Sequence, residues 1–312
     1  MQHPVNSARA GTGVSAALAV IAACALFGTT GTVLQRGPAG TTTLGVGAAR
    51  LLLGGATLAL IARFVRPRSG RAWRLHVRST LAGGVMVAVY QLSFFFATRH
   101  AGVALGTVCT IASGPVFAGI IAWLRLRHVP SRTWLSATAL CIGGVVMLVA
   151  VGRPAGDVEM IGIGAALLSG FGYASYASVA KHQMDRGLDP AASMAALFAT
   201  AGVLTSPLLL VEPMHWITTT RGALMIAHLG VITVGVAYTL YGRGLRRLPT
   251  PTVVTLTLVE PVTAALLSVV VLDEPLHAAG WVGIAIVLVG LFVASQPDRS
   301  GAVLEPQDAV LA

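Results

Sequence analysis

Apolar residues run along this chain in ten blocks, each separated from the next by a short polar or glycine- and proline-bearing stretch. The blocks fall at 14–35, 42–64, 79–98, 102–124, 132–151, 159–181, 190–211, 222–242, 250–272 and 277–295. Crossing a hydrocarbon core takes about 20 mostly apolar residues, so each block predicts a membrane-spanning helix. The expected fold class is all-α integral membrane protein. Residues 1–13 form a polar N-terminal tail, and 296–312 an acidic, polar C-terminal tail that is expected to be disordered. Arg9 ahead of an apolar run has the look of a secretory leader. The run is too long for one, however, and no convincing cleavage site follows, so the first block is kept as a helix.

Composition agrees with the pattern. Of 312 residues 55% are hydrophobic and 10% charged, with a mean hydropathy of +0.80, far more apolar than a soluble domain of this length needs. The pI near 10.7 points toward nucleic acid only superficially, because the basic residues lie between apolar blocks and not on an aromatic-studded patch. They are also unevenly placed. Sixteen Lys and Arg fall on the side that holds both termini and four on the other, with Arg50 inside the second block. By the positive-inside rule the termini face the cytoplasm. Cys24, Cys109 and Cys141 lie within apolar blocks without CxxC spacing and imply neither a disulfide framework nor a metal. The glycine-rich runs carry no phosphate-binding motif, so no nucleotide-driven motor and no cofactor is implied.

The chain repeats itself. Phe27-Gly28-Thr29 in the first block has a counterpart in Phe171-Gly172-Tyr173 of the sixth. The run from Ala97 through Pro115 to Val149 matches Gly244 through Pro261 to Ser295, and Gly144 matches Gly290. Two five-helix units result, 14–151 and 159–295. An odd number of helices turns the second upside down relative to the first, giving ten transmembrane helices as two inverted repeats. That architecture places substrate sites near the midplane between repeats.

The stretch from Thr250 to Leu276 is the most informative. It carries Glu260 near the middle of a span, Pro261 directly after it, and Asp273-Glu274-Pro275 at the far end. A charged side chain at mid-membrane costs about 2.5–3.5 kcal/mol on insertion scales, so Glu260 either serves transport or pairs inside the bundle. A carboxylate there can exchange protons or balance a cationic or zwitterionic solute. Pro261 has no N–H to donate, which leaves the Thr257 carbonyl without its usual helical partner. Pro115 and Pro261, at equivalent places, are the candidate hinges.

These residues and the five-plus-five pattern resemble the EamA-like family of the drug/metabolite transporter superfamily, over roughly residues 14–295. The resemblance implies export or exchange of amino acids, other metabolites or drugs, often with protons. One departure stands out. The family's acidic residue after the fourth helix falls here at Arg127-His128, while the second half keeps Glu274; these end-of-helix positions read as structural caps.

Further candidates follow from polar and aromatic residues within the blocks. Arg50 is about 12 Å below the outer end at 1.5 Å per residue; it anchors a substrate carboxylate or forms an internal ion pair. Tyr90 and Gln91 sit in the third block, where a glutamine is either interhelical glue or a ligand. Tyr173 and Tyr176, and Tyr238 and Tyr241, make matched i,i+3 pairs that line a cavity if their helices face each other, although Tyr241 also suits an interfacial belt. Thr29, Thr30 and Gln35 rank lower, and His228 reads as a satisfied interior group. The expectation is therefore a secondary transporter of a small molecule in the lipid bilayer, working by alternating access, with proton coupling through Glu260. A facilitative exchanger or uniporter is the alternative. A membrane enzyme would need paired carboxylates or a nucleophile set at depth, a channel would need a symmetric ring of ligands, and neither is visible.

Overall fold

The computed structural model of the chain describes residues 5–65, 77–101, 103–126, 131–150, 160–273 and 276–295. Among these residues all regular structure is helical. In chain order the helices are α1 Val5–Gln35, α2 Thr43–Phe64, α3 Val77–His100, α4 Val103–Leu126, α5 Arg132–Ala150 and α6 Met160–Asp185. They continue with α7 Pro190–Val211, α8 Thr220–Arg247, α9 Thr250–Leu272 and α10 Ala278–Ser295. Eight of them have the length and hydropathy to cross a membrane; α5 and α10 are apolar but shorter. Predicted stretches at Arg127-His128, Glu274-Pro275 and 296–312 lie outside the described residues.

Local chemistry sets several boundaries. The Thr42 hydroxyl accepts from Gly45 N–H at the start of α2, and Thr219 does the same for Gly222 at the start of α8. Asp189 accepts from the N–H groups of Ala191 and Ala192, with Pro190 in the first turn of α7, where its missing donor costs nothing. Asp273 ends α9 in the left-handed region at φ 55°. The Arg36 guanidinium donates to the Val271 carbonyl at 2.7 Å, satisfying one of the free acceptors of that terminus.

The helices pack in a pattern that survives exchange of the two halves. α1 lies against α8 and α9, and correspondingly α6 lies against α3 and α4. α2 packs on α7 and α8, and α7 on α2 and α3; α5 packs on α10. At the last interface the exchange holds residue by residue. A Cβ on Gly144 would stand 2.7 Å from the Gly283 carbonyl and 2.9 Å from Val287 N, while one on Gly290 would stand 2.9 Å from the Ala137 carbonyl and 3.0 Å from Cys141 N. Cys141 Sγ donates to the carbonyl of Val287, its counterpart 146 positions on, at 3.7 Å. The repeat read from the sequence is thus a two-fold relation in space.

Outward-facing apolar side chains, among them Leu18, Leu60, Val77, Trp123, Leu288 and Phe292, are exposed around the bundle, as a lipid-facing surface requires. The core runs through the middle, from Val20 and Cys24 of α1 to Leu256 and Leu258 of α9.

Candidate functional site

The five tyrosines of the chain gather in one cluster at the centre of the bundle. Tyr173 and Tyr176 on α6 meet Tyr241 and Tyr238 on α8, with hydroxyls 3.3 Å apart in both pairs. Tyr90 of α3 packs on both α6 tyrosines, with ring centroids 5.5 and 5.9 Å away. The i,i+3 spacing thus brings both pairs face to face, as their helices would have to be placed for a shared cavity. Tyr241 is fully buried and belongs to the cluster, not to an interfacial belt.

Close backbone approach makes this possible. Gly172 lies under Tyr90, where a Cβ would come within 2.9 Å of its N, and Ser169 donates to the Tyr90 carbonyl at 2.9 Å. On the other half a Cβ on Gly28 would stand 2.7 Å from Thr263 and 2.9 Å from the Glu260 carbonyl. Phe-Gly in α1 therefore seats α9 beside the cluster, and Phe27 packs at a tilt against Tyr238 with ring centroids 4.8 Å apart.

Glu260 sits halfway along α9, directly after a break. The helix stops at Leu256, turns through Thr257 and Leu258, and restarts at Val259. The Thr257 carbonyl does lose the partner that Pro261 cannot supply. It is not left free, because Glu260 N–H donates to it at 2.9 Å in a tighter turn. Pro115, the counterpart, sits inside a helix that continues unbroken.

Arg50, Tyr90 and Tyr238 all lie within electrostatic range of Glu260 or of one another. The Arg50 Nε is buried without a hydrogen-bond partner, and the described ion pairs do not include one between Arg50 and Glu260.

Accessibility divides the candidates. Arg50, Tyr90, Tyr173 and Glu260 retain accessible surface. Gln91, Tyr176, Tyr238 and Tyr241 are sealed. Sequence reasoning missed Phe198 and Cys24. Phe198 packs at a tilt against Tyr238 with ring centroids 4.1 Å apart, and Cys24 is buried close to Glu260, Tyr173 and Tyr241. Phe27 was visible as part of the repeated Phe-Gly pair, whereas nothing in the sequence marks Phe198 apart from other core residues.

Three matches to known proteins bear on this arrangement. Residues 14–150 and 160–296 each match the EamA-like transporter family. The chain belongs to that family. An uncharacterized transporter from Bacillus subtilis (strain 168), YwfM, is 35% identical over 282 residues, covering 90% of this chain and 94% of that protein. A crystal structure at 19% identity superposes with a TM-score of 0.78 over 90% of this chain and 96% of that one, a likeness of fold. This EamA-like protein is a multi-pass membrane transporter built of two repeats, with a small-molecule substrate.

Proposed function

We propose that this EamA-like protein exports a small metabolite, an amino acid or a related solute or drug, across the cytoplasmic membrane by alternating access. In this reading all ten helices span the bilayer, α5 and α10 at about 1.5 Å per residue being just long enough, and both termini are cytoplasmic. The observation that carries it is the meeting of Arg50, Glu260 and the tyrosines inside the bundle, where residues of both halves adjoin. Opposed charges that are not bonded to each other keep capacity for a solute's own charges. Tyr90 and Tyr173 supply aromatic faces and hydroxyls for an amphipathic or cationic body. Glu260 is the proton site: charge at that depth is costly, so its protonation state and the presence of a charged solute favour different conformations.

Uptake in proteoliposomes tests this with wild type and Glu260→Gln, using amino acids and cationic drugs. A solute should move with a pH gradient in wild type, and in the variant the coupling should vanish while exchange persists. Unchanged gradient-driven uptake in the variant would make the carboxylate structural and leave a facilitative exchanger.

A further inference from the structure

Polar clasps join the two halves toward opposite ends of the bundle. Toward the end that holds Gln35 and the start of α8, the Thr29 hydroxyl donates to the Leu26 carbonyl at 2.7 Å and lies 2.8 Å from His228 Nε2. A hydroxyl has one proton to give. With that proton on Leu26, Nε2–H of His228 is the donor across the α1–α8 interface. Toward the other end, the Gln183 amide near the end of α6 donates to Ser79 Oγ at 3.1 Å and Thr80 Oγ1 at 3.2 Å in the first turn of α3. Its carbonyl accepts from Ser193 of α7 at 2.7 Å. Gln183 is buried and all its polar atoms are used.

The two clasps occupy related interfaces. Exchange of the halves carries α1 onto α6 and α8 onto α3, so the α1–α8 contact is the counterpart of α3–α6. An inverted repeat sets one copy of such an interface toward each side of a membrane. The α8 copy has a further feature. From His228 to Val236 it is π-helical, while α3 is α-helical throughout. Gly230 and Gly235 in that segment lie so close to Leu53 and Thr57 of α2 that a Cβ would fall within 2.7 Å and 2.4 Å of them. Wide turns of this kind are rare and concentrate at functional sites.

We propose that these clasps are the two gates: Thr29 and His228 hold the outer one, Gln183 with Ser79, Thr80 and Ser193 holds the inner one, and the π-helical segment is the joint on which the outer end of α8 moves. Thr29, His228 and Gln183 are positioning residues, which hold helices and do not touch the solute. Both clasps are closed in this structure, so each opens by losing its own bonds while the other stays made. Thr29 donating to its own turn and accepting from His228 lets the outer clasp release with α1 otherwise intact.

The inference rests on alternating access. Its test needs no transported solute, so an error in the substrate class would leave the result untouched. Cys24, fully buried beside Glu260, is the reporter, in a chain with Cys109→Ala and Cys141→Ala. A membrane-impermeant methanethiosulfonate is applied to right-side-out and inside-out vesicles. Thr29→Val and His228→Leu should each raise labelling from the outer face about fivefold, the scale of one lost neutral hydrogen bond, without raising it from the inner face. Gln183→Leu should do the reverse, and Thr29→Ser, which keeps the hydroxyl, should match the background chain. Labelling that stays at background in every variant, or clasp variants that open the same face, would overturn the proposal. Should His228→Leu fail to reach the membrane, Thr29→Val decides, since valine has the shape of threonine.

Discussion

Within the tyrosine cluster and its charged neighbours, accessibility separates the groups that the proposed function assigns to the solute from those packed behind them. Arg50 keeps a buried Nε without a partner and has accessible surface besides, the arrangement a guanidinium needs to receive an anionic group. Arg50→Ala should therefore weaken carboxylate-bearing solutes by more than about tenfold, since bonds to charged groups exceed neutral ones. The corresponding decarboxylated amines should lose much less, and competition binding would show the split. Tyr241 has the opposite character. It is sealed, and its hydroxyl meets Tyr173. Tyr241→Phe should lower stability by about 0.5–1.5 kcal/mol in thermal unfolding while transport is retained. From the sequence alone only Tyr241 stood apart, because the arginines at 243, 246 and 247 follow it closely, and that pointed to an interfacial belt. Accessibility made the distinction.

Among the helices, α9 and α4 show that one residue type in equivalent places can have different consequences. Pro115 is accommodated in a continuous helix; Pro261 follows a break, with the Thr257 carbonyl turned to Glu260 N–H. Pro261→Ala permits a regular α9. The variant should unfold at an equal or higher temperature yet turn over about tenfold more slowly, and Pro115→Ala should keep most of its activity. The α5–α10 interface offers a sharper contrast between adjacent glycines. A Cβ on Gly144 meets the α10 backbone within 3 Å, whereas one on Gly143 meets nothing within 4 Å. Gly144→Val should cost about 1–3 kcal/mol through overpacking and Gly143→Val close to nothing, as thermal unfolding in detergent would register. The repeat sets Gly144 apart, since it matches Gly290 while Gly143 falls opposite Val289. The positions of α5 and α10 were readable from hydropathy, but the backbone contact that Gly144 makes was decided by the packing.

Taken whole, the molecule buries each half against the other, through α1–α8, α1–α9, α2–α7, α3–α6, α4–α6 and α5–α10. Neither five-helix unit has a closed core of its own. Residues 1–155 and 156–312 made as separate chains should each be degraded when alone, and should copurify and restore uptake when coexpressed. The amino-acid sequence by itself determined the helices and their order, because a bilayer demands long apolar runs whose backbone bonds are satisfied internally. It also determined the two-fold repeat, since matched Phe-Gly, Pro and Gly positions survive in both halves, and it singled out Glu260 and Arg50, since charge at that depth is costly. Tertiary structure alone decided that all five tyrosines meet, that Arg50 and Glu260 are neighbours without being bonded, that Thr29 finds His228, and that α8 widens into a π-helix. The physical reason is that lipid tails and protein interiors are both apolar. Hydropathy therefore marks which residues enter the membrane, but not which face of a helix touches another, and those faces are set by close packing at small residues.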